Sequence, residues 1–442
     1  MLEALGDRAG AIESLGIVLT VRPDDVVARG RLVDLYLATD APASAAAELE
    51  KLAERRDVAS ARANDDLAAA RLWLGVGDPA RAQKALERAQ KLHPLGIEAL
   101  RELTALLSGA ERASFLDEAA TDVRTVLRRE GPRAPAFAAL EAIAVLSGDA
   151  TLGAFAGGAL AALGEASEAT LRKLDERRKG LGAPQPRRAL TDEEWRTRVE
   201  HAGARGALGD LWGAVVESLT RGGPWEPGEL GFGKGDRVAY KQLAARLPQV
   251  DAAARGVGLG EVEVYVSAAR PGMARAVPLE VPVVYLGEDV ARADTPDARL
   301  ALVLALASAR QRLGPLDEMS PEDVRVTVAA AVKTAGGDPA RYLAPLGPGA
   351  AAKVEPRMRI LGKASRKDRK ALAAAVARLR GDESVDDWTV AMRATVRRAA
   401  LLLLGDVDLA IAKLPPGSPV VADILSWSVG EPHLHLRSEL GL

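Results

Sequence analysis

Apolar residues in the N-terminal part of the chain recur at the three- and four-residue spacing of amphipathic helices. The stretch GDPARAQKALERAQKLHP, which begins at Gly77, places Ala82, Leu86, Ala89 and Pro94 at offsets of 0, 4, 7 and 12. Small side chains at the first and third positions allow a neighbouring helix to approach closely, the leucine fills the space between them, and a proline cannot continue the helix. The pattern predicts a helix that packs against its predecessor and ends near Pro94.

The same offsets occur at the start of the chain. In GDRAGAIESLGIVLTVRP they fall on Ala11, Leu15, Val18 and Pro23. Between the two copies, VVARGRLVDLYLATDAPASAAAELEKLAERRD predicts a helix, a turn at 40–42 and a second helix. ANDDLAAARLWLG then predicts the helix before the later copy. We therefore expect helices packed in pairs.

This spacing resembles the second helix of the tetratricopeptide repeat (TPR). The resemblance implies a helical solenoid at 1–108, drifted helical repeats at 109–182, and a surface that holds a peptide or a partner protein. The chain begins with a second-type helix that lacks a first-helix partner. We expect either a fragment of a longer chain or a helix that caps the array.

A segment rich in proline, glycine and arginine follows the helical repeats. GLGAPQPRRALTDEEW predicts a linker at 183–191. Thr191 and Glu194 are spaced as in a capping box, so a helix is expected to begin there. We assign 192–257 to a helical connector and 258–442 to an α+β domain.

The α+β domain contains the convincing strand patterns of the sequence. Valine alternates with other residues in EVEVYVS, and 281–286 is a second β-rich run, so a β-hairpin or small sheet is expected. The apolar stretch RLALVLALASARQRLG follows. It predicts a helix at 300–313 that is buried against the strands and against a helix at 389–404. The predicted fold class is mainly α: a TPR-like solenoid, then an α+β domain with buried helices.

The order of β-hairpin, acidic loop and buried helix resembles the HtpX-like zinc metallopeptidases. In that family the buried helix carries H-E-x-x-H, in which the histidines bind zinc and the glutamate polarises water. The corresponding positions here are Leu306, Ala307 and Arg310. A later helix of the family supplies the third ligand, and RATVRRAALLLLGD places Arg393 and Arg397 at its acidic positions. The resemblance therefore implies an inactive pseudopeptidase domain without metal, cofactor or catalytic residues.

Composition narrows the function classes. The chain is 48% hydrophobic and 27% charged, which is typical of globular proteins. It has no cysteine, which excludes disulfides, thiolate zinc sites and cysteine nucleophiles. Its net charge of −2 gives no general attraction to nucleic acid or anionic membranes. Arginine outnumbers lysine, which we interpret as the mark of a GC-rich bacterial genome.

Three other stretches are weaker candidates for a site. HLH places His433 and His435 on one face of a predicted short strand, a spacing that some metal sites use, but surface residues are the favoured interpretation. GELGFGKGDR lacks the Gly-Lys-Ser/Thr of a phosphate loop and is interpreted as a flexible loop. The basic stretch 353–380 lacks interleaved aromatic residues, so a solvated amphipathic helix is favoured over a phosphate-binding face.

The sequence therefore favours a non-catalytic scaffold that binds a protein or peptide partner. The alternatives are a hydrolase with unrecognised catalytic residues and nucleic-acid binding through the basic helix at 353–380. No signal peptide is visible in this chain, which favours the cytoplasm, and no apolar run is long enough to span a membrane.

Overall fold

A computed structural model describes residues 7–221, 224–347 and 349–442. The protein is mainly helical, with a four-stranded sheet, as the sequence predicts. The chain divides into two compact units, Met1–Leu163 and Gly164–Leu442. The division precedes the linker expected at 183–191. Helix α10 (Glu168–Gly180), which was expected among the drifted repeats, belongs to the second unit.

The first unit is a series of helices in which each helix packs against the next. In chain order they are α1 (Arg8–Val21), α2 (Val26–Ala38), α3 (Pro42–Arg55), α4 (Ala59–Gly75), α5 (Pro79–Leu92), α6 (Ile97–Leu106), α7 (Gly109–Glu130), α8 (Ala134–Ser147) and α9 (Ala150–Ala162).

Short turns with strong capping signals separate these helices. Asp78 accepts a hydrogen bond from the backbone N–H of Arg81, and Pro79 occupies the first turn of α5, where its missing N–H costs nothing. Gly148 ends α8 in the left-handed conformation that glycine adopts without strain. The predicted turn at 40–42 lies between α2 and α3.

The repeat pattern falls on the faces between helices. Ala82, Leu86 and Ala89 are at most 1% exposed, within an apolar cluster that joins α2 to α6. In the earlier copy, Ala11 is buried and Leu15 half-buried, but Val18 is 39% exposed. Pro23 and Pro94 follow the ends of α1 and α5.

The second unit contains most of the short elements. After α10, the unit continues with α11 (Asp192–Glu194), α12 (Ala207–Thr220), α13 (Leu243–Arg246), α14 (Pro248–Gly256), α15 (Glu288–Arg292), α16 (Pro296–Gln311) and α17 (Pro321–Thr334). Helix α11 runs directly into a π-helical turn, Trp195–Val199. The later helices are α18 (Ala340–Leu343), α19 (Ala350–Leu361), α20 (Arg366–Val376), α21 (Val385–Leu404), α22 (Val407–Ile411), α23 (Pro419–Ser428) and α24 (Glu431–Leu440). Short 3-10 turns lie at Ala202–Ala204, Lys234–Asp236, Tyr240–Gln242 and Gly314–Asp317.

The sheet corrects the predicted strand pairing. Its strands are β1 (Arg237–Val238), β2 (Glu263–Ser267), β3 (Ala274–Val277) and β4 (Val283–Gly287), in the order β1-β2-β4-β3. The runs expected to form a hairpin, β2 and β4, are parallel neighbours, and the antiparallel partner of β4 is β3. Parallel neighbours need a crossover connection. The intervening segment, 268–282, supplies it and contributes β3 at the sheet edge.

Helix α16 occupies the place predicted for the apolar stretch. It packs against β3, β4 and α21, and half of its residues are buried. Thr295 caps its N-terminus by accepting a hydrogen bond from Ala298 N–H, and Pro296 stands in its first turn. At the end of the linker expected at 183–191, Thr191 and Glu194 form the predicted capping box at the start of α11.

Candidate functional site

A cleft opens in the first unit between α5 and α7. Helix α7 is 22 residues long and packs more extensively against α8 than against α6, so it leaves the side of α5 uncovered. The cleft has a volume of about 650 Å³, within the range of small ligand sites. Its lining comes from Glu87, Gln90, Lys91, Leu92, Pro94, Leu103, Phe115, Glu118, Ala119, Asp122, Thr125, Val126 and Arg129.

The cleft has an apolar floor. Leu103 of α6 and Ala119 of α7 are buried, and Leu92, Phe115 and Val126 are half-buried around them. The half-buried side chains offer apolar area that a bound side chain can remove from water.

The rim of the cleft is charged and exposed. Glu87 and Lys91 lie on the α5 wall, and Glu118, Asp122 and Arg129 lie on the α7 wall. An apolar centre with a polar, solvated rim is the arrangement found where proteins bind protein segments.

Gln90 is the polar group at the base of the α5 wall. The residue is 7% exposed, and its Nε2 donates a hydrogen bond to the carbonyl oxygen of Pro94 at 3.0 Å. That bond fixes the orientation of the amide. In the described part of the chain, Oε1 accepts no hydrogen bond. A buried acceptor without a donor costs about 1–3 kcal/mol, so a ligand N–H that reached it would be strongly favoured. The repeat pattern identified Pro94 but gave no sign of Gln90.

A smaller cleft of about 280 Å³, between α3, α4 and α5, has a structural explanation. Arg88 donates to Asp66 at 2.9 Å and to Glu50 at 2.5 Å, so it links the three helices. Asp66 is 2% exposed, and this burial raises the pKa of its carboxyl group. These charges are already paired with one another.

The positions singled out by the peptidase resemblance lie on α16 and α21, two helices that pack against each other. Leu306 and Ala307 are fully buried. Arg310 is hydrogen-bonded to Asp192. Arg393 lies 3.6 Å from Asp317.

Arg397 occupies the remaining position. It donates to the carbonyl oxygens of Ala410 and Ala412, both at 3.0 Å, and burial lowers the pKa of its guanidinium. The geometry thus engages these side chains in packing, in ion pairs with Asp192 and Asp317, and in hydrogen bonds to backbone carbonyls.

The prediction that His433 and His435 share one face of a strand is wrong. Both lie on helix α24, where residues two apart point in different directions. His435 is exposed, whereas His433 is buried and its Nδ1 lies 2.7 Å from the carbonyl oxygen of Ser428. Burial lowers the pKa of His433 to about 3. The imidazole is therefore neutral and donates Nδ1–H to that carbonyl.

The glycine-rich stretch GELGFGKGDR forms the turn Lys234–Asp236 and leads into β1. Within residues 7–221, 224–347 and 349–442, no three His, Cys, Asp or Glu side chains are grouped so that they could hold a metal ion. No helix in these ranges is long and apolar enough to cross a membrane.

Comparison with known proteins gives little further guidance. No family model and no curated protein matches the chain. Two solved structures, titled "Crystal structure of MamA" and "Crystal structure of MamA protein", are each 20% identical and align with 40% of this chain, and with 95% and 88% of their own chains. Their TM-scores are 0.21 and 0.23, too low to support a conclusion about fold or function. The description of the fold as mainly helical therefore rests on the chain's own elements.

Proposed function

We propose that this protein is a non-catalytic scaffold that binds a segment of a partner protein in the cleft between α5 and α7. The observation that carries the proposal is the apolar floor of the cleft beside the unsatisfied Gln90 Oε1. A peptide can complement both features, since its side chains can cover the apolar floor and its backbone N–H groups can donate to Oε1.

The proposal includes the TPR-like character of the first unit. Paired helices with small residues at the close contacts support it, because Ala82 and Ala89 are buried in the cluster shared with α4. Helical repeats of this kind present extended surfaces for partner proteins.

The proposal also treats the α+β domain at 258–442 as a remnant of a zinc peptidase without catalytic activity. The packing of α16 against α21, with Leu306 and Ala307 at the positions of the motif, supports it. Metal analysis of the purified protein tests this part: we expect no stoichiometric zinc, and about one tightly held zinc per chain would contradict it.

The binding proposal is tested by selecting peptides from a random display library on the full chain. Thr125→Trp places an indole in the mouth of the cleft at an exposed position of α7, so the fold should tolerate it. We expect enriched peptides whose affinity falls at least roughly tenfold in this variant, a loss of about 1.4 kcal/mol.

Thr121→Trp is the matched control, because Thr121 is exposed on the same helix, one turn earlier and outside the cleft lining. Peptides that bind both variants equally well, or no enrichment at all, would contradict the proposal. Retention of nucleic acid that is lost at moderate salt would instead favour the alternative function through the basic helices α19 and α20.

A further inference from the structure

A separate cleft of about 440 Å³ lies within the second unit. It is formed by α12, the residues Arg221, Pro224 and Trp225 that come after it, the turn Gly314–Asp317, α17 and α19. Half of its twelve lining residues are apolar, namely Leu219, Pro224, Trp225, Pro315, Met319 and Ile360.

The acidic side chains of this cleft are already engaged. Glu318 is paired with Arg275, whose guanidinium also lies 4.2 Å from the centre of the Trp225 ring. Asp323 accepts a hydrogen bond from Ser320 Oγ at 2.7 Å in the cap of α17. The charge of Glu318 is therefore compensated by Arg275, whereas Asp323 is stabilised by its hydrogen bond at the N-terminus of α17.

Two cations of the cleft have no such partner. Arg357 and Lys363 make no side-chain hydrogen bond or ion pair with any residue that the structure describes, whereas the third cation, Arg221, is bonded to Glu217. Ile360 lies between them on α19 and is 37% exposed. Arg357 and Ile360 are three residues apart and so lie on neighbouring positions of one helix face.

We propose that this cleft binds a small amphipathic anion, with its apolar body against Trp225, Met319 and Ile360 and its anionic head between Arg357 and Lys363. Uncompensated positive charge beside apolar walls selects such a ligand in two ways. The walls remove the apolar body from water, and the cations attract a carboxylate, sulfonate or phosphate group. The cleft volume is suited to a ligand of this size.

The test uses two fluorescent probes with the full chain. Anilinonaphthalene sulfonate carries the anionic head, and phenylnaphthylamine is its neutral counterpart. In the double variant Arg357→Ala/Lys363→Ala, we expect the affinity for the sulfonate to fall at least roughly fivefold, and that for the neutral probe to stay within about twofold. Both residues lie at the surface of α19 or just after it, so the fold should persist.

A matched control removes two other exposed cations. Lys367→Ala/Lys370→Ala changes α20 outside the cleft lining and should leave sulfonate binding unchanged. An equal loss in this control would show general charge attraction and overturn the proposal. So would unchanged sulfonate affinity in the cleft variant.

Competition identifies the source of the natural anion. Displacement of the sulfonate by dodecanoate assigns a lipid-derived ligand, and displacement by naphthoate assigns an aromatic one. Displacement by neither would overturn the proposal. Thr125→Trp, which blocks the first cleft, should leave this binding intact.

Discussion

At the scale of single residues, burial decides what polar groups do in this chain. Gln90 and His433 are both almost completely enclosed, but Gln90 lines the cleft between α5 and α7, whereas His433 lies in the interior of the second unit. The Gln90 amide uses its donor on Pro94 and leaves Oε1 without a donor among the described residues. The His433 ring stacks at 4.4 Å from Trp427 and donates to Ser428. The first group is suited to a ligand, the second to packing.

Replacement of Gln90 by methionine separates these roles. The variant loses the bond to Pro94 but also removes the unsatisfied oxygen, so we expect the free energy of unfolding to change by less than about 1 kcal/mol. Selected peptides should bind roughly fivefold more weakly if they donate to Oε1. Urea unfolding and peptide titration measure the two effects, and unchanged peptide affinity would remove Gln90 from the site.

The neutral state of His433 predicts a pH dependence of stability. Burial holds its pKa at about 3, below the ordinary 6.5, and the cations Arg437 and Arg177 act in the same direction. As the pH falls, His433 is therefore protonated in the unfolded chain at a higher pH than in the folded protein. Stability should fall as pH drops from about 6.5 towards 3, by up to about 1.4 kcal/mol per pH unit from this residue.

Comparison with His433→Asn isolates this contribution, because asparagine can still donate to Ser428 but does not titrate. Its unfolding free energy should vary less between pH 6.5 and 5 than that of the natural chain. His435→Asn, at an exposed position of the same helix, is the control. Equal slopes for all three proteins would contradict the assignment.

At the scale of elements, the sequence predicted local structure well and non-local pairing poorly. Helix α5 and the capping box at Thr191 follow from spacing and capping chemistry over a few residues. The parallel pairing of β2 with β4 depends on the intervening segment 268–282, which crosses over and contributes β3. Helix α24 was mistaken for a strand because H-L-H-L alternates. Pro432 in its first turn and Gly441 after its end were the helix signals that outweighed the alternation.

The candidate cleft could not be predicted from the sequence for a related reason. Its floor residues follow the helical pattern like any core residue, and Phe115 and Val126 stay partly exposed where α7 departs from α6 and packs against α8. That departure is a tertiary effect without a local signature. The unpaired state of Arg357 and Lys363 likewise depends on which acidic groups other helices place nearby.

The close contact between α4 and α5 gives a prediction about packing. Ala89 is 1% exposed, so Ala89→Leu should overpack the helix pair and reduce the free energy of unfolding by roughly 1–3 kcal/mol. Ala80→Leu, at an exposed position of the same helix, should change it by less than about 0.5 kcal/mol. Urea denaturation measures both, and an unchanged stability of the Ala89 variant would show that the repeat register is wrong.

At the scale of the whole molecule, the net charge does not reveal the local charge of the candidate clefts. A net charge of −2 gives no sign of the uncompensated cations beside Ile360. Each unit also has its own apolar core, around Leu86 in the first and around α16 in the second.

The separate cores predict that the chain can be divided. Fragments 1–163 and 164–442 should each show the helical circular dichroism expected of the corresponding unit and a cooperative thermal transition. A cut between residues 182 and 183 would instead separate α10 from the second unit. The C-terminal fragment 183–442 should then melt at a lower temperature than fragment 164–442. Equal melting of the two C-terminal fragments would show that α10 adds nothing to that core.

The divergence of α7 from α6 has a mechanical consequence. A stack of helices under tension parts first where neighbouring layers share the least surface. In the first unit that place is the passage from α6 to α7, since α7 is joined more firmly to α8. Pulled from its ends, the unit should therefore extend in two steps, with α7 to α9 separating before the cluster of α2 to α6 ruptures. A partner that bridged α5 and α7 would act as a clamp across this joint and raise the force of the first step.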